Sequence, residues 1–132
     1  MSPAPNAHLP YTLISVLVID DDLGIRETLA EILRDAGYSV VTAIHGAQAL
    51  ELLSNIRPRV ILLDLNMPVM NGRQFREAQK LDPSLAEIPT VLLTAVDRMK
   101  MKEQNTELGT VDAIAKPIKL PNLLSIVERF CQ

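Results

Sequence analysis

The sequence predicts an α/β domain, a parallel β-sheet covered on both faces by helices. Short β-branched apolar runs alternate along the chain with segments whose apolar residues recur at helical spacing. The apolar runs are continuous, as strands buried on both faces require. Aromatic residues make up only 3% of the 132 residues and Trp is absent, so the core must be built from Leu, Ile, Val and Ala.

The elements follow in order. Residues 1–12 carry three prolines, two alanines and an Asn, and are expected to form a flexible leader ahead of a domain over 13–132. Ile14 to Ile19 reads as the first strand. Ile25, Leu29, Ile32, Leu33 and Ala36 then define a helix stopped by Gly37, a residue suited to the left-handed conformation after a helix end. Tyr38 to Ala43 is a second, more polar strand, placed at the sheet edge. A helix from about Gly46 to Asn55 presents Ala49, Leu50 and Leu53. Val60 to Leu63 is the third strand, and the helix from Gly72 to Leu81 presents Phe75, Ala78 and Leu81. Pro89 leads into a fourth strand, Thr90 to Leu93. Arg98 to Leu108 is a weaker helix whose sizeable apolar residues are Met99, Met101 and Leu108. Val111 to Ala115 is the fifth strand. The last helix opens at Pro121, a favoured first-turn residue, and buries Leu120, Leu123, Leu124, Val127 and Phe130.

Composition excludes several function classes. The length fits one domain with a real core, and 48% apolar with 22% charged residues is an ordinary globular balance. A net charge of −3 with scattered Lys and Arg argues against direct nucleic-acid binding, which needs a basic patch. Cys131 is the only cysteine, which rules out an intramolecular disulfide, and its step with Leu124 and Val127 reads as helix packing. No apolar stretch approaches the roughly 20 residues that span a bilayer, and Met1 to Pro10 has no signal-peptide core. The expected location is a reducing cytoplasm, without membrane insertion.

In a parallel sheet the residues just after the strands gather along one edge, where ligands bind. Here they are Asp20, Asp21 and Asp22 after strand one, Asp64 after strand three, Thr94 after strand four and Lys116 after strand five. Converging carboxylates repel unless something positive joins them. A hard divalent cation with oxygen ligands, Mg²⁺, supplies that charge, and Lys116 supplies a second. A metal, an ammonium, a hydroxyl and one nucleophilic carboxylate suit an incoming phosphoryl group. No glycine-rich phosphate loop is present, so a nucleotide is not the obvious donor.

From about Ile14 to Cys131 the chain resembles the receiver domain of the two-component response-regulator family, chemotaxis receivers included. The resemblance rests on Val18-Ile19-Asp20-Asp21-Asp22, Leu63-Asp64-Leu65-Asn66-Met67-Pro68, Leu93-Thr94-Ala95 and Ala115-Lys116-Pro117. It implies a doubly wound, flavodoxin-like sheet of order 2-1-3-4-5 with five helices. It implies further that Asp64 accepts a phosphoryl group from a histidine kinase or histidine phosphotransfer protein. Mg²⁺ would be bound by Asp20 (mostly through water), Asp21, Asp64 and the carbonyl of Asn66. Thr94 would hydrogen-bond the phosphoryl group and move toward it, and Lys116 would pair with Asp64 and then with the phosphoryl oxygens. Pro117 would follow a cis peptide bond. The protein so described is a signalling switch acting on a downstream protein target, with no output domain in this chain. It is no enzyme toward an external substrate beyond its own phosphorylation and dephosphorylation.

The sequence departs from the family at Ala113, where a Tyr or Phe usually stands three residues before the lysine. Without a ring to swing, the face formed by strand four, helix four and strand five must signal through other residues. The alternative is a non-switching interaction module that binds partners regardless of phosphorylation. A flavin-type small-ligand protein on the same fold is a weaker reading, since three aspartates after strand one would repel a phosphate. Asn66 could orient an attacking water, whereas Val96 has no polar group to offer. Other residues have structural readings. Asp22 reads as a helix N-cap and Asn71-Gly72 as a turn. His8 and His45 are isolated histidines, and Met67, Met70, Met99 and Met101 read as packing. Asp97, Arg98, Lys100 and Lys102 read as a solvated helix face.

Overall fold

The computed structural model describes residues 10–132, so the expected leader lies outside the described residues apart from its last three positions. Five strands and five helices alternate: β1 Thr12–Ile19, α1 Leu23–Asp35, β2 Val40–Ala43, α2 Gly46–Leu52, β3 Ile56–Asp64, α3 Gly72–Leu81, β4 Thr90–Thr94, α4 Arg98–Leu108, β5 Asp112–Ala115 and α5 Leu120–Phe130. All neighbouring strands are parallel, in the order β2-β1-β3-β4-β5. The polar second strand is indeed an edge.

The continuous apolar runs divide between two cores because successive residues of a strand face opposite ways. Val16, Val18, Val60, Leu62, Val91 and Leu93 pack with Leu29 and Leu33 of α1 and Leu123 and Val127 of α5. Leu17, Ile19, Ile61, Leu63 and Leu92 pack on the other face with Ala49 of α2, Phe75 of α3 and Leu108 of α4. Both faces of the central strands are therefore sealed.

Side-chain caps start four of the helices. Asp22 accepts from the Ile25 N–H at 3.0 Å, and His45 Nδ1 from the Gln48 N–H at 3.1 Å. Asn71 and Gln74 cap one another's backbone N–H groups at 2.9 and 3.0 Å, a reciprocal capping box. Asp97 accepts from the Lys100 N–H at 2.8 Å. Helix α5 has a proline in its first turn instead. Gly37 stops α1 as expected: at φ 98° its N–H bonds the Arg34 carbonyl, and the Tyr38 N–H bonds that of Leu33.

The structure also corrects the sequence reading. Strand β3 begins at Ile56 and not at Val60. Its first residues pair only with β1, because β4 joins from Ile61 onward. Pro58 sits in that one-sided stretch, where a missing N–H is tolerated. Helix α2 ends at Leu52, short of Asn55. Leu81, expected on the buried side of α3, is 83% exposed, as are Met99 at 74% and Leu120 at 47%. The inward face of α3 is completed by polar residues. Arg76 donates to the carbonyls of Leu108 at 2.9 Å and Gly109 at 2.8 Å, tying α3 to the end of α4. Fully buried Gln79 accepts from Arg76 and the Thr90 hydroxyl and donates to the carbonyls of Leu85 and Ile88.

Two truncations distinguish core from surface. Leu33→Ala is expected to cost about 2–5 kcal/mol in urea unfolding, whereas Leu81→Ala should stay within about 0.5 kcal/mol of the parent.

Candidate functional site

The parallel sheet delivers the ends of β1, β3, β4 and β5 to one edge. Asp20 follows β1 directly, Asp64 is the last residue of β3, Thr94 the last of β4, and Lys116 follows β5. Each carboxylate of Asp20, Asp21 and Asp64 places an oxygen within 4.8 Å of the other two. Asp22 is not in this group. Its side chain serves α1 as a cap, as its sequence position suggested.

Lys116 joins the cluster from the far side. Its Nζ donates to Asp20 Oδ2 at 3.0 Å and to Asp64 Oδ1 at 3.3 Å. Asp20 is fully buried and Asp64 only 6% exposed. The other oxygen of Asp20 accepts the Asp22 N–H at 2.9 Å. The peptide bond that follows, Lys116–Pro117, is cis, as the resemblance implied. The backbone adds a further tie, the Lys116 N–H donating to the Thr94 carbonyl at 2.7 Å.

The charges do not balance. Three carboxylates meet one ammonium, leaving two formal negative charges on the group. Burial, and then the charge of Asp20, hold the Asp64 pKa above its ordinary 3.8, although Lys116 and the Asn66 backbone N–H favour the ionised form. For Lys116, burial opposes the charge, but hydrogen bonds and attraction from Asp20 and Asp64 outweigh it and raise the pKa. The two shifts agree: a shared ammonium does not fully offset the acids around it. The imbalance equals one divalent cation, and the all-oxygen donor set is the kind Mg²⁺ takes.

The turn after Asp64 is held by backbone contact. The Gly72 N–H donates to the Leu65 carbonyl at 2.9 Å. A Cβ on Gly72 would stand 2.5 Å from the Asp64 carbonyl oxygen and 2.7 Å from the Leu65 Cα, so only glycine lets α3 approach this closely. Within the same turn, exposed Val69 has φ 66°, a strained conformation for a β-branched residue. Asn66 is exposed, and its contact with the Asp64 carboxylate is made by its backbone.

Thr94 belongs to the same edge, but its buried hydroxyl donates to Gln104 Oε1 of α4 at 3.0 Å. Sequence reasoning missed Gln104. The available signal was its place between Met101 and Leu108 at helical spacing, the inward stripe of α4. Ala113 leaves an open cavity of about 300 Å³ between α4 and α5, walled in part by Met101 and Ile126. Cys131 packs at the end of α5 with its thiol pKa raised by burial, in keeping with its structural reading.

A doubly wound sheet with acids, a hydroxyl and a lysine at its carboxyl edge defines a class of signalling domain, and comparison with known proteins identifies it. Residues 16–128 match the model of the response regulator receiver domain. Sporulation initiation phosphotransferase F of Bacillus subtilis (strain 168) is 30% identical over 87% of this chain and 91% of its own length. Response regulator MprA of Mycobacterium sp. (strain KMS) is 35% identical over 85% of this chain, which spans only 48% of that relative. The structure of chemotaxis response regulator CheY4 of Vibrio cholerae superposes with a TM-score of 0.81 at 34% identity, covering 90% of this chain and 99% of that one. The chain belongs to the response regulator receiver family. Among the described residues no helix is long and apolar enough to cross a membrane.

Two measurements test the site. Folding of the metal-free protein favours protonated Asp64, so this group's stabilising contribution is present below pH 3.8 and is lost as pH rises through the raised folded value. Asp64→Asn should therefore raise the neutral-pH Tm of the metal-free protein, with the gain vanishing in acid. Gly72→Ala should cost about 1–3 kcal/mol in urea unfolding through overpacking.

Proposed function

We propose that this receiver domain is a Mg²⁺-dependent phosphoacceptor switch in which Asp64 takes a phosphoryl group from a phosphohistidine. The observation that supports this most directly is Lys116 Nζ standing between the buried carboxylates of Asp20 and Asp64. An Asp64 carboxylate oxygen attacks phosphorus while the bond from phosphorus to the histidine nitrogen breaks, and the imidazole departs. The product is an acyl phosphate.

Each remaining group has work in that step. Lys116 is already within hydrogen-bond reach of Asp64, where it can follow charge onto the phosphoryl oxygens. Thr94 offers a hydroxyl hydrogen, and Asn66, two residues after Asp64, offers a polar side chain to a hydrolysing water, whereas Val96, two after Thr94, offers none. Asp20, Asp21, Asp64 and the Asn66 carbonyl would hold Mg²⁺. When bound, the ion neutralises the carboxylates together with the phosphoryl oxygens. An apolar groove of about 470 Å³ between α1 and α5, lined by Ile25, Leu29, Ile32, Ile118 and Leu123, opens beside Lys116. It gives a histidine kinase or phosphotransfer protein a surface adjacent to the acceptor.

Incubation with acetyl phosphate and Mg²⁺ should add one phosphoryl group to the intact mass, and chelation by EDTA should abolish the gain. Lys116→Ala should slow labelling about a hundredfold, the scale of losing one charge-stabilising donor. A mass gain that survives Asp64→Ala would overturn the assignment of the acceptor.

A further inference from the structure

A threonine hydroxyl carries one hydrogen and donates one hydrogen bond at a time. In this structure the Thr94 hydrogen goes to Gln104 Oε1 at 3.0 Å, between two buried residues. Phosphoryl oxygens only accept, so a phosphoryl group on Asp64 competes with Gln104 for the same hydrogen. We propose that Gln104 is the positioning residue through which occupancy of Asp64 reaches α4, holding Thr94 while Asp64 is free and losing it when Asp64 is phosphorylated. This rests on Asp64 being the acceptor, as proposed above.

The packing of α4 makes this bond consequential. Gln104 and Leu108 are the only residues of the helix that are buried. Of its other charged and polar residues, Arg98, Lys100, Lys102, Glu103, Thr106 and Glu107 are exposed and Asn105 is partly buried. The end at Leu108 is held separately by Arg76. The first half therefore depends on its Asp97 cap, on partly buried Met101 and on the bond from Gln104 to Thr94. Ala113 adds only a methyl group, beside an open cavity. A partner that reads the domain would sense the freed half of α4 in place of a rotating ring.

Amide hydrogen exchange over residues 98–108 tests this in two stages. Without any phosphodonor, Gln104→Met should speed exchange in the first half of α4 about fivefold, the equivalent of one net hydrogen bond. The same substitution in a Thr94→Val background should add nothing, and Gln104→Glu, which keeps an acceptor oxygen, should leave exchange slow. With Mg²⁺ and beryllofluoride as the phosphoryl mimic, the parent protein should show a similar acceleration and Gln104→Met should not respond. An equal effect of Gln104→Met in both backgrounds would mark Gln104 as mere packing and overturn the proposal. Labelling of Asp64 by acetyl phosphate with α4 exchange unresponsive to the mimic would overturn the proposal alone. Failure of Asp64 to label would overturn both this proposal and the phosphoacceptor reading.

Discussion

One ammonium shared by two buried carboxylates is the constraint on which the site depends. Lys116 reaches Asp20 and Asp64 only because β1, β3 and β5 end at one edge of the sheet. Removing the lysine would leave buried like charges facing each other in a medium that screens them poorly. The sheet order, the sealed strands and the tie from the Lys116 N–H to the Thr94 carbonyl all hold this one charge in place. The surplus acidity that it leaves is also what suits the edge to a cation and to an anionic group together.

The two sides of the site are built to different stiffness. Around Asp64 the chain is over-determined: glycine at the close approach to α3, a reciprocal cap at Asn71 and Gln74, and the fully buried run from Val60 to Leu63 behind. Around Thr94 it is lightly held, since α4 has few inward residues. A rigidly held carboxylate and a loosely packed neighbour are the two parts a switch needs, because a change at one must be fixed in place before it can bias the other.

Much of this was legible in the sequence because its signals are local or periodic. Continuous apolar runs gave the strands, i, i+4 spacing gave α1 and α5, and ordered strand ends gave Asp20, Asp64, Thr94 and Lys116. What escaped depends on partners remote in sequence. The start of β3 was hidden by Arg57, Pro58 and Arg59, whose strand geometry comes from pairing with β1. Leu81 fits the helical stripe of α3 but lies past the point where that helix leaves the core, while Arg76 and Gln79 fill the interior positions. Gly72 reads locally as a turn, yet its need is set by the backbone of Asp64 and Leu65. Gln104 is polar, and its burial is intelligible only once the Thr94 hydroxyl is placed opposite it.

The bonds from Arg76 to the carbonyls of Leu108 and Gly109 have a mechanical meaning as well as a stabilising one. A helix pinned at its last residue and lightly fastened elsewhere is a lever, with its fulcrum beside Gly109. Displacement would then grow with distance from that pivot, and the largest excursion would fall at Asp97 and Arg98, at the end of α4 that follows Thr94 and the carboxyl edge of the sheet. The exposed cations of α4 thus lie along the moving arm, so a small rearrangement at Thr94 would sweep charge across the surface.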